Sequence, residues 1–346
     1  MATVARHFDA LLSAVNPPED RAERAKEMPV PIREHLARSD TLDTVEPHTR
    51  LIGSYARDTA VMEIKDVDIL VFLDPTKYTG ESPVGVLGDL HVALENMPDA
   101  GSPDLSPQRR SVRVSYADFE LDIVPAIAPL GTDYSVRIPD CDQLEWIDSH
   151  PLGYQQYLSD LNARTDDRVV PMIKLIKYWR DYQAAEVKSP KPASYLIEVE
   201  LTHVFRMIPS LAGVGADELF TKLLRGMHDD FSPSAQVGRV PAVYDPMLRN
   251  DIAEDVNWQA SEVQLFVTTM SESLEWAERA LEEEDQEECV ELWKLVFGDL
   301  FADGRRKQAA KRAELSKAGK LSVASTGMIR EEDGDIPVPK HKFYGD

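Results

Sequence analysis

The chain has 346 residues, of which 43% are hydrophobic and 29% are charged, so it is long enough for two domains and has the composition of a folded protein. The formal net charge is −23, and the chain as a whole lacks the basic character of proteins that bind long duplex nucleic acid. These totals argue against duplex DNA or RNA as the main partner and leave only a local basic groove as a route to nucleic acid.

The cysteines and the N-terminal residues indicate the compartment. Cys141 and Cys289 form no CxxC pair and no zinc-ligand spacing, and two distant thiols are typical of a reducing environment. Arg6 and Asp9 interrupt the apolar residues that a signal peptide would need, and no apolar run approaches the roughly 18 residues that cross a bilayer. We therefore expect a cytoplasmic protein without a membrane partner.

The sequence pattern of the first 125 residues changes once, from helical to mainly strand-like. Residues 4–40 predict two or three helices, because prolines interrupt an otherwise helical pattern. Further on, 64–73 predicts a buried strand interrupted by acids, 110–114 and 119–124 predict a hairpin, and 87–97 predicts a helix between them. Mixed strands with few helices are typical of an α+β sheet domain.

After Pro151 the pattern becomes helical, because apolar residues recur every three or four positions. The clearest of these segments are 169–179, 194–207 and 263–281. The acidic stretch 281–288 is interpreted as the solvated end of the last of these helices.

Three regions follow from these patterns. We expect a sheet domain with N-terminal helices at 1–150 and a helical lobe at 151–300. The remaining residues, 301–346, are expected to form a tail that begins basic and ends with proline and glycine.

The stretch 51–74 combines a glycine-serine turn with a pair of acids. Gly53 lets the backbone approach a phosphate closely, and the amides of a helix start can hold phosphate oxygens together with the Ser54 hydroxyl. Asp66 and Asp68 lie two residues apart in the predicted strand, so their carboxylates face the same way. This arrangement predicts a site where a phosphate and two acids meet.

A third acid, Asp122, lies on the second strand of the predicted hairpin. Neighbouring carboxylates repel one another unless a cation lies between them, and Mg²⁺ prefers oxygen ligands that include phosphate oxygens. The three aspartates therefore predict a two-metal phosphoryl-transfer site for Mg²⁺ or Mn²⁺. Each feature on its own is more often a simple turn or a solvated acid, but their joint occurrence inside apolar strands favours catalysis.

These residues resemble the pattern of the polymerase-β-like nucleotidyltransferase superfamily, which is Gly-Ser, Asp-x-Asp and a later strand Asp. The closer resemblance is to the bacterial cyclic-oligonucleotide synthases of antiphage signalling (CBASS), called CD-NTases. Their catalytic domain is named SMODS, and they are relatives of cyclic GMP-AMP synthase and oligoadenylate synthase. The segments that carry the resemblance are 53–59, 121–126, 138–151, 175–180, 194–198 and 245–250.

The resemblance implies a two-lobed enzyme. A mixed-sheet nucleotidyltransferase palm would carry the three aspartates, and a helical C-terminal lobe would close over a central cleft. Ser54 would bind triphosphate, Asp66 and Asp68 would hold both metals, and Asp122 would lie beside the acceptor hydroxyl.

The resemblance also implies roles in the helical lobe. Lys177 and Ser194 would contact the donor phosphates, and Tyr195 would stack on a base. By their residue types alone, these positions are equally consistent with structural roles. Lys174 and Lys177 share one helix face that suits a solvated surface, Ser194 suits a helix cap, and the Tyr195 ring suits packing between helices.

The expected reaction joins nucleoside triphosphates, ATP and also GTP, UTP or CTP, into a cyclic di- or trinucleotide with release of pyrophosphate. CBASS regulatory proteins are the expected partners. Two alternatives stay open from the sequence. Extension of an RNA or tRNA 3′ end is opposed by the net charge of −23, and a non-catalytic nucleotide sensor is opposed by the three aspartates.

Overall fold

The computed structural model describes most of the chain. The described ranges are 4–62, 66–97, 104–116, 119–188 and 192–302, together with the two-residue strands at 322–323, 329–330 and 336–337. Apart from its first two residues and these strands, the predicted tail lies outside the described residues.

Six helices and seven strands build the first half of the described chain. The helices are α1 (Ala5–Val15), α2 (Glu19–Glu27), α3 (Pro29–Leu36), α4 (Gly53–Ala56), α5 (Pro75–Tyr78) and α6 (Pro83–Glu95). The strands are β1 (Thr44–Ile52), β2 (Asp66–Leu73), β3 (Asp104–Pro107), β4 (Val112–Ser115), β5 (Glu120–Ile127), β6 (Val136–Asp140) and β7 (Glu145–Ser149). The predicted N-terminal helices and the β4–β5 hairpin are confirmed. Helix α6 begins earlier than predicted, because the Ser82 hydroxyl caps it by accepting the Gly85 amide at 3.1 Å.

The second half is helical, as predicted. It contains α7 (Pro151–Arg164), α8 (Val169–Val187), α9 (Ser194–Met207), α10 (Ala216–Gln236), α11 (Ala260–Glu282) and α12 (Gln286–Phe297). The sequence did not predict α10 or α12. The acidic stretch 281–288, expected to be the solvated end of α11, instead contains the end of that helix and the start of α12. Asp285 caps α12 by accepting the amides of Glu287 and Glu288.

The sheet is mixed, and its strand order is β1-β2-β5-β4-β3, with β6 paired to β5 and β7 to β6. Among these described strands only β2 and β5 run parallel, and the other pairs are antiparallel. Since β2 and β5 are adjacent and parallel, Asp68 lies directly opposite Asp122, and Asp66 lies opposite Glu120. The fold is α+β, and its two central strands carry the acids.

Strand alternation separates the two faces of this sheet. Val67, Ile69 and Ile123 point into a core shared with α3 and α6. The opposite face carries a smaller apolar cluster, which includes Leu70 and Phe72. Asp68 and Asp122 lie on that second face, beyond the end of its apolar cluster.

The helical lobe has its own core, and α1 is part of it. Phe8 packs edge to face on Trp293 with ring centroids 4.9 Å apart, and Leu11 and Val15 lie in the same buried cluster. The domain boundary predicted at residue 150 assigns α1 to the sheet domain. In the structure, the side chains of α1 are buried among α8, α10 and α12, so this helix belongs to the core of the helical lobe. Among the described residues, no helix is long and apolar enough to cross a membrane.

Candidate active site

The turn between β1 and β2 brings the backbone against a carboxylate. Gly53 has φ of +73°, a conformation that side chains disfavour. A Cβ at this position would lie 1.8 Å from Oδ2 and 2.7 Å from Cγ of Asp68. Both the backbone conformation and the available space therefore require glycine here.

Helix α4 follows directly, so the amides at its start lie beside the same carboxylate. The loop is closed by Thr59, whose amide and hydroxyl donate to the Ser54 carbonyl at 2.9 and 3.3 Å. Ser54 itself is partly exposed. The predicted phosphate-holding pair, Gly53 and Ser54, thus lies next to Asp68.

The three aspartates lie together at this end of β2 and β5. Asp66 is exposed, whereas Asp68 and Asp122 are partly buried. Burial raises the pKa of Asp68 to about 6, and the charges of Asp66 and Asp122 act in the same direction. The site therefore holds more negative charge than its surroundings neutralise.

Arg113 on β4 partly offsets this charge and was missed by the sequence analysis. It lies opposite Asp122 in the antiparallel β4–β5 pair and donates to both of its oxygens, at 2.9 and 2.8 Å. It also contacts Glu120 at 2.9 Å. Alternation along the predicted hairpin places Arg113 and Asp122 on one face, but only the observed strand register sets them opposite each other.

The donor set fits a divalent cation, although it is not preassembled. Within the described ranges, no three His, Cys, Asp or Glu side chains form a ready metal-binding cluster. The physical reason is that Asp122 directs its oxygens at Arg113. Carboxylate oxygens are nevertheless the ligands that Mg²⁺ prefers, and burial followed by the charges of Asp66 and Asp122 raises the pKa of Asp68.

A buried ion network lies behind the Gly53 turn. Lys177 is 2% exposed and binds Glu198, and its ammonium also donates to the Thr59 carbonyl at 3.0 Å. Glu198 accepts from Arg57 at 2.8 Å and from the Thr59 hydroxyl at 2.8 Å. Burial acts to raise the pKa of Glu198, but Lys177 and Arg57 outweigh it and hold that pKa low. This network ties α8 and α9 to the loop after Gly53.

The placement of Lys177 differs from the role that the resemblance implies. Its ammonium is directed at Glu198 and Thr59 rather than at the open cleft. Lys174, one turn earlier, also contacts the loop, with its ammonium 2.8 Å from Asp58 and 2.9 Å from Asn16. The sequence showed the spacing of these lysines but not the acids that oppose them.

The start of α9 lies close to the same loop. Arg180 donates to the Ser194 hydroxyl at 3.1 Å, and the Tyr195 hydroxyl donates to Asp245 at 2.6 Å. The Arg57 guanidinium lies 5.7 Å from the centre of the Tyr195 ring and 5.3 Å from that of Tyr154. Arg57 therefore joins the phosphate-holding turn to the tyrosine that is predicted to stack on a base.

The structure thus gathers most of the predicted residues. Gly53, Ser54 and the three aspartates lie at one end of the interior strands β2 and β5, and the Arg57 guanidinium lies over the ring of Tyr195. The functional candidates missed by the sequence analysis include Arg57, Glu198 and Asp245. All three fall inside the segments that carry the resemblance, and only Glu198 is a charge with apolar residues on both sides.

Comparison with known proteins agrees with this geometry. Residues 1–162 match the Second Messenger Oligonucleotide or Dinucleotide Synthetase (SMODS) domain. The cyclic AMP-AMP-AMP synthase of an Acinetobacter species is 28% identical over 335 residues, which cover 94% of this chain and 93% of that protein.

Two solved structures share the fold. The CD-NTase CdnG of Bradyrhizobium diazoefficiens, solved in complex with GTP, matches with a TM-score of 0.69 and 17% identity over 89% of this chain and 98% of that one. The CdnC:HORMA-deltaN complex of E. coli MS115-1 matches with a TM-score of 0.66 and 18% identity over 85% and 96% of the two chains. The chain is therefore similar in sequence to cyclic-oligonucleotide synthases, shares the fold of bacterial CD-NTases, and is a nucleotidyltransferase.

Proposed function

We propose that the protein joins nucleoside triphosphates, ATP among them, into a cyclic di- or trinucleotide second messenger and releases pyrophosphate, as part of bacterial CBASS defence. The observation that carries this proposal is the contact between Gly53 and Asp68. It sets a phosphate-holding turn against a cluster of three strand carboxylates. The similarity to a cyclic AMP-AMP-AMP synthase along 94% of the chain favours ATP as a substrate and a trinucleotide as the product.

Two divalent cations, Mg²⁺ or Mn²⁺, would be held by Asp66, Asp68 and Asp122. When bound, they supply Lewis-acid stabilisation of the triphosphate and lower the pKa of the attacking hydroxyl. Each oxygen of Asp122 accepts one hydrogen bond from Arg113 and keeps a further lone pair, so the carboxylate can still face a cation or the acceptor hydroxyl. Arg113 therefore compensates part of the charge of Asp122.

The chain's own groups orient the nucleotides. The amides at the start of α4 and the Ser54 hydroxyl would hold phosphate oxygens, since a helix start offers unpaired donors. The partly exposed Tyr195 ring would stack on a base, with its hydroxyl fixed by Asp245. Ser194 would contact the donor phosphates. Lys177 would act mainly through Glu198, which it holds in place beside Arg57.

We also propose that the protein acts with CBASS regulatory proteins. The supporting observation is that one structural neighbour is a complex with HORMA-deltaN. The present chain shares the fold of that neighbour over 85% of its length.

The test uses purified protein with labelled ribonucleoside triphosphates and Mg²⁺ or Mn²⁺, followed by phosphatase treatment and separation of the products. We expect a phosphatase-resistant product that disappears in the Asp66→Asn, Asp68→Asn double variant. The matched control is Asp89→Asn, an exposed acid of α6 on the other side of the sheet. Omitting one nucleotide at a time names the substrates. Product formation by the double variant, or extension of tRNA instead of cyclisation, would contradict the proposal.

A further inference from the structure

A large open cavity lies along the outer edge of β1, away from the catalytic residues. Its volume is about 1160 Å³, and it is enclosed by β1, α3, α7, α9 and the loop at 244–249. We call it the arginine cavity, because Arg33, Arg50, Arg206 and Arg249 line it. Neither the Gly53 turn nor any of the three aspartates lines it.

The charge of this cavity contrasts with that of the whole protein. Four arginines and two histidines face two carboxylates, Asp133 and Asp160, in a chain with a net charge of −23. One of those acids, Asp160, already accepts a hydrogen bond from Gln156 at 2.8 Å. Arginine stays protonated at any physiological pH, so the positive charge of the cavity is permanent.

None of these four guanidiniums forms an ion pair with a carboxylate within the described part of the chain. Arg33 donates only to the Thr49 hydroxyl, at 2.9 Å. Other arginines behave differently, since Arg57, Arg109 and Arg110 each bind a buried carboxylate. A strongly acidic protein that gathers unpaired arginines in one cavity offers them to an external anion.

We propose that the arginine cavity is a second binding site, separate from the catalytic cleft, for a small polyanion that carries at least two phosphate or carboxylate groups. Guanidinium groups bind both kinds of oxyanion through paired hydrogen bonds. This inference does not depend on which nucleotides the enzyme joins.

The cavity also touches the elements that hold the catalytic residues. Strand β1 runs from Arg50 into Gly53, and α9 runs from Tyr195 to Arg206. Asp245, which accepts the Tyr195 hydroxyl, lies between two cavity residues in the chain. A bound polyanion would therefore contact the three segments that position the catalytic turn and Tyr195.

The binding test uses the full-length protein in EDTA, which removes the divalent cations that triphosphates need at the aspartates. Inorganic tripolyphosphate and citrate are titrated by calorimetry against wild type, Arg206→Gln, and the Arg206→Gln, Arg249→Gln double variant. We expect saturable binding that falls at least about tenfold in the double variant, by a smaller factor in the single one, and that weakens as salt rises. Tighter binding of tripolyphosphate would indicate a phosphate ligand, and tighter binding of citrate would indicate a carboxylate ligand.

The matched control is Arg38→Gln, Arg279→Gln, which removes the same charge from exposed positions outside the cavity. The thermal unfolding curve of the cavity variant should match that of wild type, which shows that the variant folds. The proposal is overturned if neither probe binds saturably. It is equally overturned if the cavity variant and the control lose affinity to the same extent.

Discussion

Acidic residues have opposite surroundings at the end of strands β2 and β5 that carries the three aspartates and in the helical lobe behind it. At the sheet edge, Asp66, Asp68 and Asp122 repel one another, so that burial and mutual repulsion raise the pKa of Asp68 to about 6. In the helical lobe, Glu198 is fully buried but is held by Lys177 and Arg57, and its pKa stays low. The first arrangement is only partly compensated, by Arg113 on Asp122, whereas the second is already complete.

The partners of an acid therefore indicate its role better than its burial does. Glu200 is a third example. Glu200 lies two residues after Glu198 on α9 and is also buried, but no lysine or arginine in the described part of the chain pairs with it. Burial, and next the neighbouring Asp230 carboxyl, raise the pKa of Glu200 to about 8, and the His203 ring lies 3.9 Å away. The pKa values of two neighbouring glutamates therefore shift in opposite directions because of what faces them.

The largest expected effect comes from breaking the complete network. Glu198→Gln leaves the buried charges of Lys177 and Arg57 without their counter-ion, and we expect the free energy of unfolding to fall by about 3–5 kcal/mol. Chemical denaturation measures this loss. The control is Glu218→Gln, an exposed acid paired with Lys222 one turn away, whose loss should cost less than about 1 kcal/mol. Equal effects in the two variants would show that the network carries no special stability.

The sheet edge should respond in the opposite way. Asp68→Asn removes a repelling charge, so we expect unchanged or slightly higher stability while nucleotide synthesis falls at least about 100-fold. Product formation and thermal unfolding are measured on the same preparation. A variant that lost stability and activity in parallel would place Asp68 with the structural acids instead.

Gly53→Ala tests the close approach that joins the turn to the catalytic acids. The added Cβ must displace the Asp68 carboxylate, and the residue must hold a positive φ. We expect synthesis to fall about 10-fold or more, with a stability loss of about 1 kcal/mol from the backbone conformation. Gly88→Ala on α6, where a Cβ meets no atom within 4 Å, is the control and should be neutral or stabilising. Full activity of the Gly53 variant would mean that the contact with Asp68 is dispensable.

The smallest expected effect depends on pH. Because the pKa of Glu200 is higher in the folded state than its ordinary value of 4.5, the folded state binds the extra proton. Its contribution to stability is therefore largest below about pH 4.5 and is lost as the pH rises toward 8. Glu200→Gln should be more stable than wild type at pH 8, and this difference should shrink as the pH falls to 5. Denaturation curves at the two pH values test this, and a difference independent of pH would contradict it.

Much of the fold and of the catalytic edge could be predicted from local patterns. The strand that carries Asp66 and Asp68, the hairpin that carries Asp122 and the start of α9 at Ser194 all follow from periodicity over short stretches. Glycine at position 53 was predicted for its approach to phosphate. The structure adds that the glycine also makes room for Asp68.

The sequence by itself determined which residues repeat with the period of a strand or a helix, because that signal is contained in neighbouring positions. It therefore determined the mixed sheet, the helical second half and the aspartates on one face. Only the tertiary structure decided the partners: Arg113 on Asp122, Glu198 on Lys177, and α1 in the core of the other lobe. The last two join residues far apart in the chain, and the first depends on strand register across a turn. The partner of a charged side chain is set by which elements pack together, and no local pattern contains that information.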